Sequence, residues 1–212
     1  MTDPVSYQTV ARQATARFEV RGSRFMGHVR PVDTVADAEQ FIASVRAAYD
    51  DATHNVPAYR VPAGQPSDRQ PSTGVMIREY SSDDGEPTGS AGTPALNVLQ
   101  QRDLRNVVVV VTRYYGGTNL GVGGLTRMYA RATSEAVNEA TVIKECPHQQ
   151  LTINTAYDDS GTVRGILEST GVEFAASYEE IVQFDARVAV TECAELIERL
   201  NDATSGRVDI TS

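Results

Sequence analysis

Two hydrophobic periods alternate along the chain, and the switches between them mark its elements. Arg17–Val20 and Arg24–Val32 read as two strands around the turn residues Gly22 and Ser23. A capping box, Thr34-Val-Ala-Asp37, opens a helix whose apolar stripe is Val35, Ala38, Phe41, Ile42, Val45 and Ala48. Asn55–Val61 predicts a strand, Pro62 to Thr73 (PAGQPSDRQPST) a loop of breakers, and Gly74–Tyr80 a further strand. Thr93, followed by Pro94, is expected to cap a short helix through Gln101. Asn106–Thr112 is dominated by valine, the pattern of a strand buried on both faces. Leu125, Met128, Tyr129, Ala132, Ala136, Val137 and Ala140 then trace one helical face.

Near Pro147 the pattern resets. Gln150–Ala156 predicts a strand, and Asp158–Thr170 a helix closed by Gly171. Val172–Tyr178 and Glu180–Val190 follow as strands. Thr191 then caps a helix carrying Ala194, Ile197 and Leu200, and Arg207–Ile210 is a last strand. The order β-α-β-β-α-β is the ferredoxin-like split motif. The expected architecture is α+β with two domains, residues 1–146 and 147–212.

Charge supports that division. Residues 147–212 carry four arginines against twelve carboxylates, most of the chain's net charge of −9, whereas the first part is nearly balanced. Lys144 is the only lysine. An acidic, lysine-poor surface suits a high-salt habitat and disfavours DNA as a partner. The opening MTDPVSYQTVARQ lacks the apolar stretch of a signal peptide, and the longest aliphatic run, Val107–Val111, is too short to span a bilayer. The expectation is a soluble cytoplasmic protein with no membrane partner. Cys146 and Cys193 lie in no metal or redox spacing and read as small apolar fillers.

The candidate chemistry sits in two glycine loops that each precede a helix. SDDGEPTGSAGTP, Ser82 to Pro94, puts Asp83, Asp84 and Glu86 beside Gly89, Gly92 and Thr93. RYYGGTNLGVGG, Arg113 to Gly124, adds Arg113, Tyr114, Gly116, Gly117 and Gly121. Helix N-termini present free N–H groups to anions, and glycines let a ligand approach the backbone. Arg113, expected at the carboxyl end of its strand, would hold a phosphate or carboxylate, or else pair with Asp83, Asp84 or Glu86. The carboxylates therefore either orient the loops or hold Mg²⁺ at Asp83 and Asp84; otherwise no cofactor is implied. Tyr114 and Tyr115 would face opposite ways, one into the core and one free to stack on a base. His54, at a strand start, is read as structural or as a site histidine.

The two long motifs, in this order and spacing, resemble the YigZ/IMPACT family over about residues 15–140, and the remainder resembles the ferredoxin-like domain of its bacterial members. The resemblance implies an N-terminal left-handed βαβ domain similar to elongation factor G domain IV and a second domain similar to its domain V. The family's shared residues fall on Asp83, Asp84, Gly85, Glu86, Pro87, Gly89, Gly92, Arg113, Tyr114, Gly116, Gly117, Gly121, Gly123 and Gly124. Eukaryotic members of the family regulate translation; its prokaryotic members have no settled activity, and for them the resemblance implies a tie to RNA or ribosomes. The implied function is a non-enzymatic, translation-associated regulatory or RNA/ribosome-binding module with an anion site in its N-terminal domain. The alternatives are a Mg²⁺-dependent enzyme acting on a phosphorylated small molecule or nucleotide, and a protein-binding regulator without chemistry.

Overall fold

The computed structural model describes residues 6–63 and 76–211. The breaker loop from residue 64 onward, and the first two positions of the strand expected at Gly74–Tyr80, lie outside them. The chain forms two compact units, one within residues 7–145 and one over residues 146–211.

The first unit contains β1 (Tyr7–Val10), β2 (Ala14–Val20), β3 (Ser23–Pro31), α1 (Val35–Ala48), β4 (His54–Pro62), β5 (Ile77–Ser81), α2 (Gly92–Gln101), β6 (Val107–Tyr114), α3 (Val122–Ala140) and β7 (Val142–Glu145). Five strands pair antiparallel in the order β2-β3-β6-β4-β5. The valine run explains why β6 lies at the centre. Val107, Val109 and Val111 pack with Phe25, Val29, α2 and α3 on one face, while Val108 and Val110 pack with Tyr59 and α1 on the other. The Thr34 cap holds as read: its hydroxyl oxygen accepts the Asp37 N–H at 3.1 Å.

Three local expectations are corrected, and one pair of strands was not expected. β1 and β7 form a separate two-stranded ribbon that no pattern announced, because each has only four residues and they pair across the length of the unit. α2 begins at Gly92, with Ala91 and not Thr93 at its cap position. β6 runs on to Tyr114, so Arg113 lies inside the strand and is buried. Neither Tyr114 nor Tyr115 enters the core: the first is half-buried and the second exposed.

The second unit contains β8 (His148–Thr155), α4 (Tyr157–Thr170), β9 (Glu173–Tyr178), β10 (Val182–Ala189), α5 (Val190–Thr204) and β11 (Asp209–Thr211). The antiparallel order β11-β8-β10-β9 is that of the ferredoxin-like motif. Gly171, at φ 71°, closes α4 in the left-handed conformation, as its position predicted. Alternate residues of β8 and β10 build a core with both helices: Leu151 and Ile153, Phe184 and Ala186, Leu167 and Leu200. α5 starts at Val190, so Thr191 lies in its first turn and does not cap it. Its buried face is Cys193, Leu196 and Leu200; Ala194 is exposed and Ile197 packs only at the margin. Cys193 fills space, and burial raises its thiol pKa.

Candidate functional site

The first glycine loop is closed by its own acids. The Asp83 carboxylate accepts the N–H groups of Gly89 at 2.8 Å, Ala91 at 3.0 Å and Gly92 at 2.9 Å. Ala91 is the cap position of α2 and Gly92 its first residue, where N–H groups have no partner within the helix. An aspartate eight or nine residues upstream thus occupies the place of an N-cap. Burial alone would raise the Asp83 pKa, but the three donors outweigh it and hold the carboxyl below its usual range.

Asp84 is held in the left-handed region, at φ 48°. One carboxylate oxygen accepts from Arg46 at 2.9 Å and the other from the Asn55 N–H at 2.7 Å. Its carbonyl accepts the Nδ1 proton of His54 at 2.7 Å, which turns His54 Nε2 toward Glu86, 3.8 Å away. Glu86 is buried, and a single oxygen, Oε1, accepts from Arg113 Nη1 at 2.5 Å and from the Tyr129 hydroxyl at 2.7 Å. Arg113 also lies 5.4 Å from the ring centroids of both Phe25 and Tyr115. Burial, and then the Glu86 carboxylate, push the Tyr129 phenol far above its usual pKa, so it stays a donor.

Three groups from three elements, His54 of β4, Arg113 of β6 and Tyr129 of α3, therefore meet at one carboxylate. Of the pairings the sequence allowed Arg113, Glu86 is the one formed. Tyr129 was legible only as part of the apolar stripe of α3; a buried tyrosine's need for a hydroxyl partner was the available signal. Among the described residues, no group of three or more His, Cys, Asp or Glu side chains is disposed to hold a metal ion.

The second glycine loop is built differently. The Gly116 N–H bonds to Ser23 Oγ at 3.1 Å, and a Cβ on Gly116 would stand 1.9 Å from the Gly22 carbonyl carbon. Only glycine allows that approach, and it seats the loop against the β2–β3 turn with its exposed Arg21 and Arg24. The Arg24 guanidinium lies 4.3 Å over the Tyr114 ring, whose hydroxyl donates to Asp51 at 2.5 Å. Gly117 and Gly121 have positive φ, and the Gly121 N–H is taken by Asn119 Oδ1 at 3.0 Å. α3 then starts at Val122 with no side-chain cap, and Gly121, Val122 and Gly123 are exposed. Exposed Arg127 reaches back along the helix: its Nη1 lies 3.8 Å from where a Cβ on Gly123 would stand. His54, Asp84 and Glu86 connect to Arg113 in one chain of contacts, Asp83 serves the start of α2, and Gly117 and Gly121 lie on the open loop. Thr93 is exposed in the first turn of α2.

The Impact N-terminal domain family matches residues 21–137, which include both loops. This chain belongs to the IMPACT family. Residues 153–207 match a second family, a domain of unknown function designated DUF1949. The chain is 34% identical to the IMPACT family member YvyE of Bacillus subtilis, over 97% of this chain and 90% of that protein. It is 31% identical to the family member YigZ of Escherichia coli, over 97% of both. A solved structure described as that of a hypothetical protein superposes with a TM-score of 0.68 at 30% identity, covering 98% of this chain and 97% of the other. The two-domain α+β architecture is thus shared with relatives along nearly the whole chain. No helix among the described residues is long and apolar enough to cross a membrane.

Proposed function

We propose that this IMPACT family member is a translation-associated regulatory module that binds RNA, in the ribosome or free, through the second glycine loop and the start of α3. The observation that carries the reading is the uncapped, exposed N-terminus of a 19-residue helix, with exposed Arg127 reaching back to its first turn and the exposed arginines Arg21 and Arg24 on the turn against which Gly116 of the same loop is seated. Helix N–H groups and guanidinium groups both suit a phosphate, and Arg24 stacked on Tyr114 offers a flat cation to a base. Membership in a family whose eukaryotic branch regulates translation supports the same reading. The Mg²⁺-dependent enzyme gains no observation of its own, since Asp83 and Asp84 already serve the backbone and Arg46.

Filter binding with a single-stranded polyuridine oligonucleotide tests the proposal. Retention is expected at about 50 mM salt and should fall steeply by about 200 mM, as phosphate contacts require. Val122→Asp should abolish retention by placing a carboxylate where a phosphate would sit, in a fold that stays intact. Equal retention by wild type and Val122→Asp, or none by wild type at low salt, overturns the reading.

A further inference from the structure

The acidity of residues 147–212 has no part in the site above. It surrounds an undefended sheet edge. β9 is the outermost strand of its sheet and pairs only with β10, in unbroken register from Glu173 to Tyr178. Proteins usually blunt such edges with lysine, proline, a bulge or brevity. β9 has six residues, no lysine, proline or bulge and one charge at its start, Glu173, and Ala175, Ala176, Ser177 and Tyr178 are all exposed. The opposite edge, β11, has only three residues.

α4 packs over β8 and β10, and its side chains reach the end of β9. Its Tyr157 hydroxyl donates to the Glu179 carbonyl at 2.8 Å, and Arg164 on the same helix donates to Glu168 at 2.9 Å. Positions 157, 161, 164, 165 and 168 share one helical face. On that face Gly161 and Gly165 leave the backbone bare: a Cβ at either would meet nothing within 4 Å. Glycine inside a helix is destabilising, and no turn or close neighbour within the protein requires it at either place. Tyr157, Tyr178 and Ile181, each more than half exposed, offer apolar contacts at the hairpin end. Glu168, Glu173, Glu179 and Glu180 lie along this edge, opposed by Arg164, which already pairs with Glu168, and by Arg187, the cross-strand neighbour of Glu173.

We propose that the β9 edge receives an extended, lysine- or arginine-bearing polypeptide segment of a partner as an added strand, with its flank laid against Gly161 and Gly165. Backbone pairing supplies the geometry and the carboxylates select the charge. The same charge disfavours RNA and a second copy of this domain, whose acidic edge would face its own kind.

The test adds a short capped peptide of alternating lysine and valine to the full chain and follows amide hydrogen exchange of residues 173–178. The cationic peptide should slow exchange there, and its glutamate–valine counterpart should not. Gly165→Lys fills the bare strip, inverts its charge and improves the helix, so it should weaken the peptide about tenfold. Val122→Asp should leave the effect unchanged, which separates this edge from the RNA site. Protection by both peptides or by neither, protection by polyuridine, an unaffected Gly165→Lys, or a concentration-dependent dimer that protects β9 without peptide would each overturn the proposal.

Discussion

The two glycine loops look alike in sequence and do opposite things. Each places small residues ahead of a helix, the arrangement that attracts anions. In the first, Asp83 is the anion: it bonds to Gly89, Ala91 and Gly92 and closes the start of α2. In the second, no side chain caps α3, and exposed Arg127 reaches back to its first turn. A glycine-rich helix start therefore says little until one knows whether the chain supplies its own carboxylate. The three acids beside the first loop are why that loop is self-satisfied. Their absence from the second is why it remains open.

Breaking the first loop should cost the most. Glu86→Ala strands a buried Arg113, and Arg113→Ala strands Glu86; either should lower unfolding free energy by about 3–5 kcal/mol in a urea titration. The double substitution should cost less than the two singles combined, because no charge is then left buried without a partner. A loss under about 1 kcal/mol for either single would mean that the pair is not the loop's anchor.

Asp83→Ala should cost about 1–2 kcal/mol, the scale of losing a helix cap and its hydrogen bonds. The sign of its pH dependence follows from the depressed carboxyl. The native state holds this group ionised below its unfolded pKa of about 3.9. Its contribution is therefore complete above that value and disappears as pH falls through the folded pKa. Wild type and Asp83→Ala should converge in stability at strong acid.

That titration is best run in a His28→Gln background. Burial pushes the His28 imidazole down to about 4, and its Nε2 has no hydrogen-bond partner. Between about pH 6.5 and 4 the unfolded chain binds a proton that the folded chain refuses, so stability should fall by about 1–3 kcal/mol across that window. His28→Gln should flatten the slope there and leave the Asp83 difference at lower pH intact.

The smallest expected effect sharpens the other side. Val122→Asp should raise stability by about 0.3–1 kcal/mol, because a carboxylate complements an open helix N-terminus. An aspartate placed in the first turn of α2, at Thr93, should gain less, because Asp83 already serves that end. Equal gains would erase the distinction between the loops.

What the sequence made legible was local. The valine run placed β6 at the centre, the Thr34 box placed α1, and Gly171 closed α4, because each signal lies within a turn of what it controls. The order of β8 to β11 could be read for the same reason. What escaped was non-local. Asp83 caps a helix across a loop, so the nearest conventional cap, Thr93, was the wrong residue. The β1–β7 ribbon pairs residues 132 positions apart even at its closest register, Val10 with Val142. Tyr129 showed its apolar periodicity but not its hydroxyl's bond to Glu86. The Arg113–carboxylate pair was one of two readings, and only three-dimensional placement selects Glu86 over Asp83 and Asp84.

The most direct measurement follows backbone amide resonances during titration with the polyuridine oligonucleotide at low salt. The account predicts shifts centred on Gly121, Val122, Gly123 and Gly124, with Gly89, Ala91 and Gly92 unmoved because Asp83 already holds their N–H groups. Shifts at Gly89–Gly92, or none at Gly121–Gly124, would contradict it.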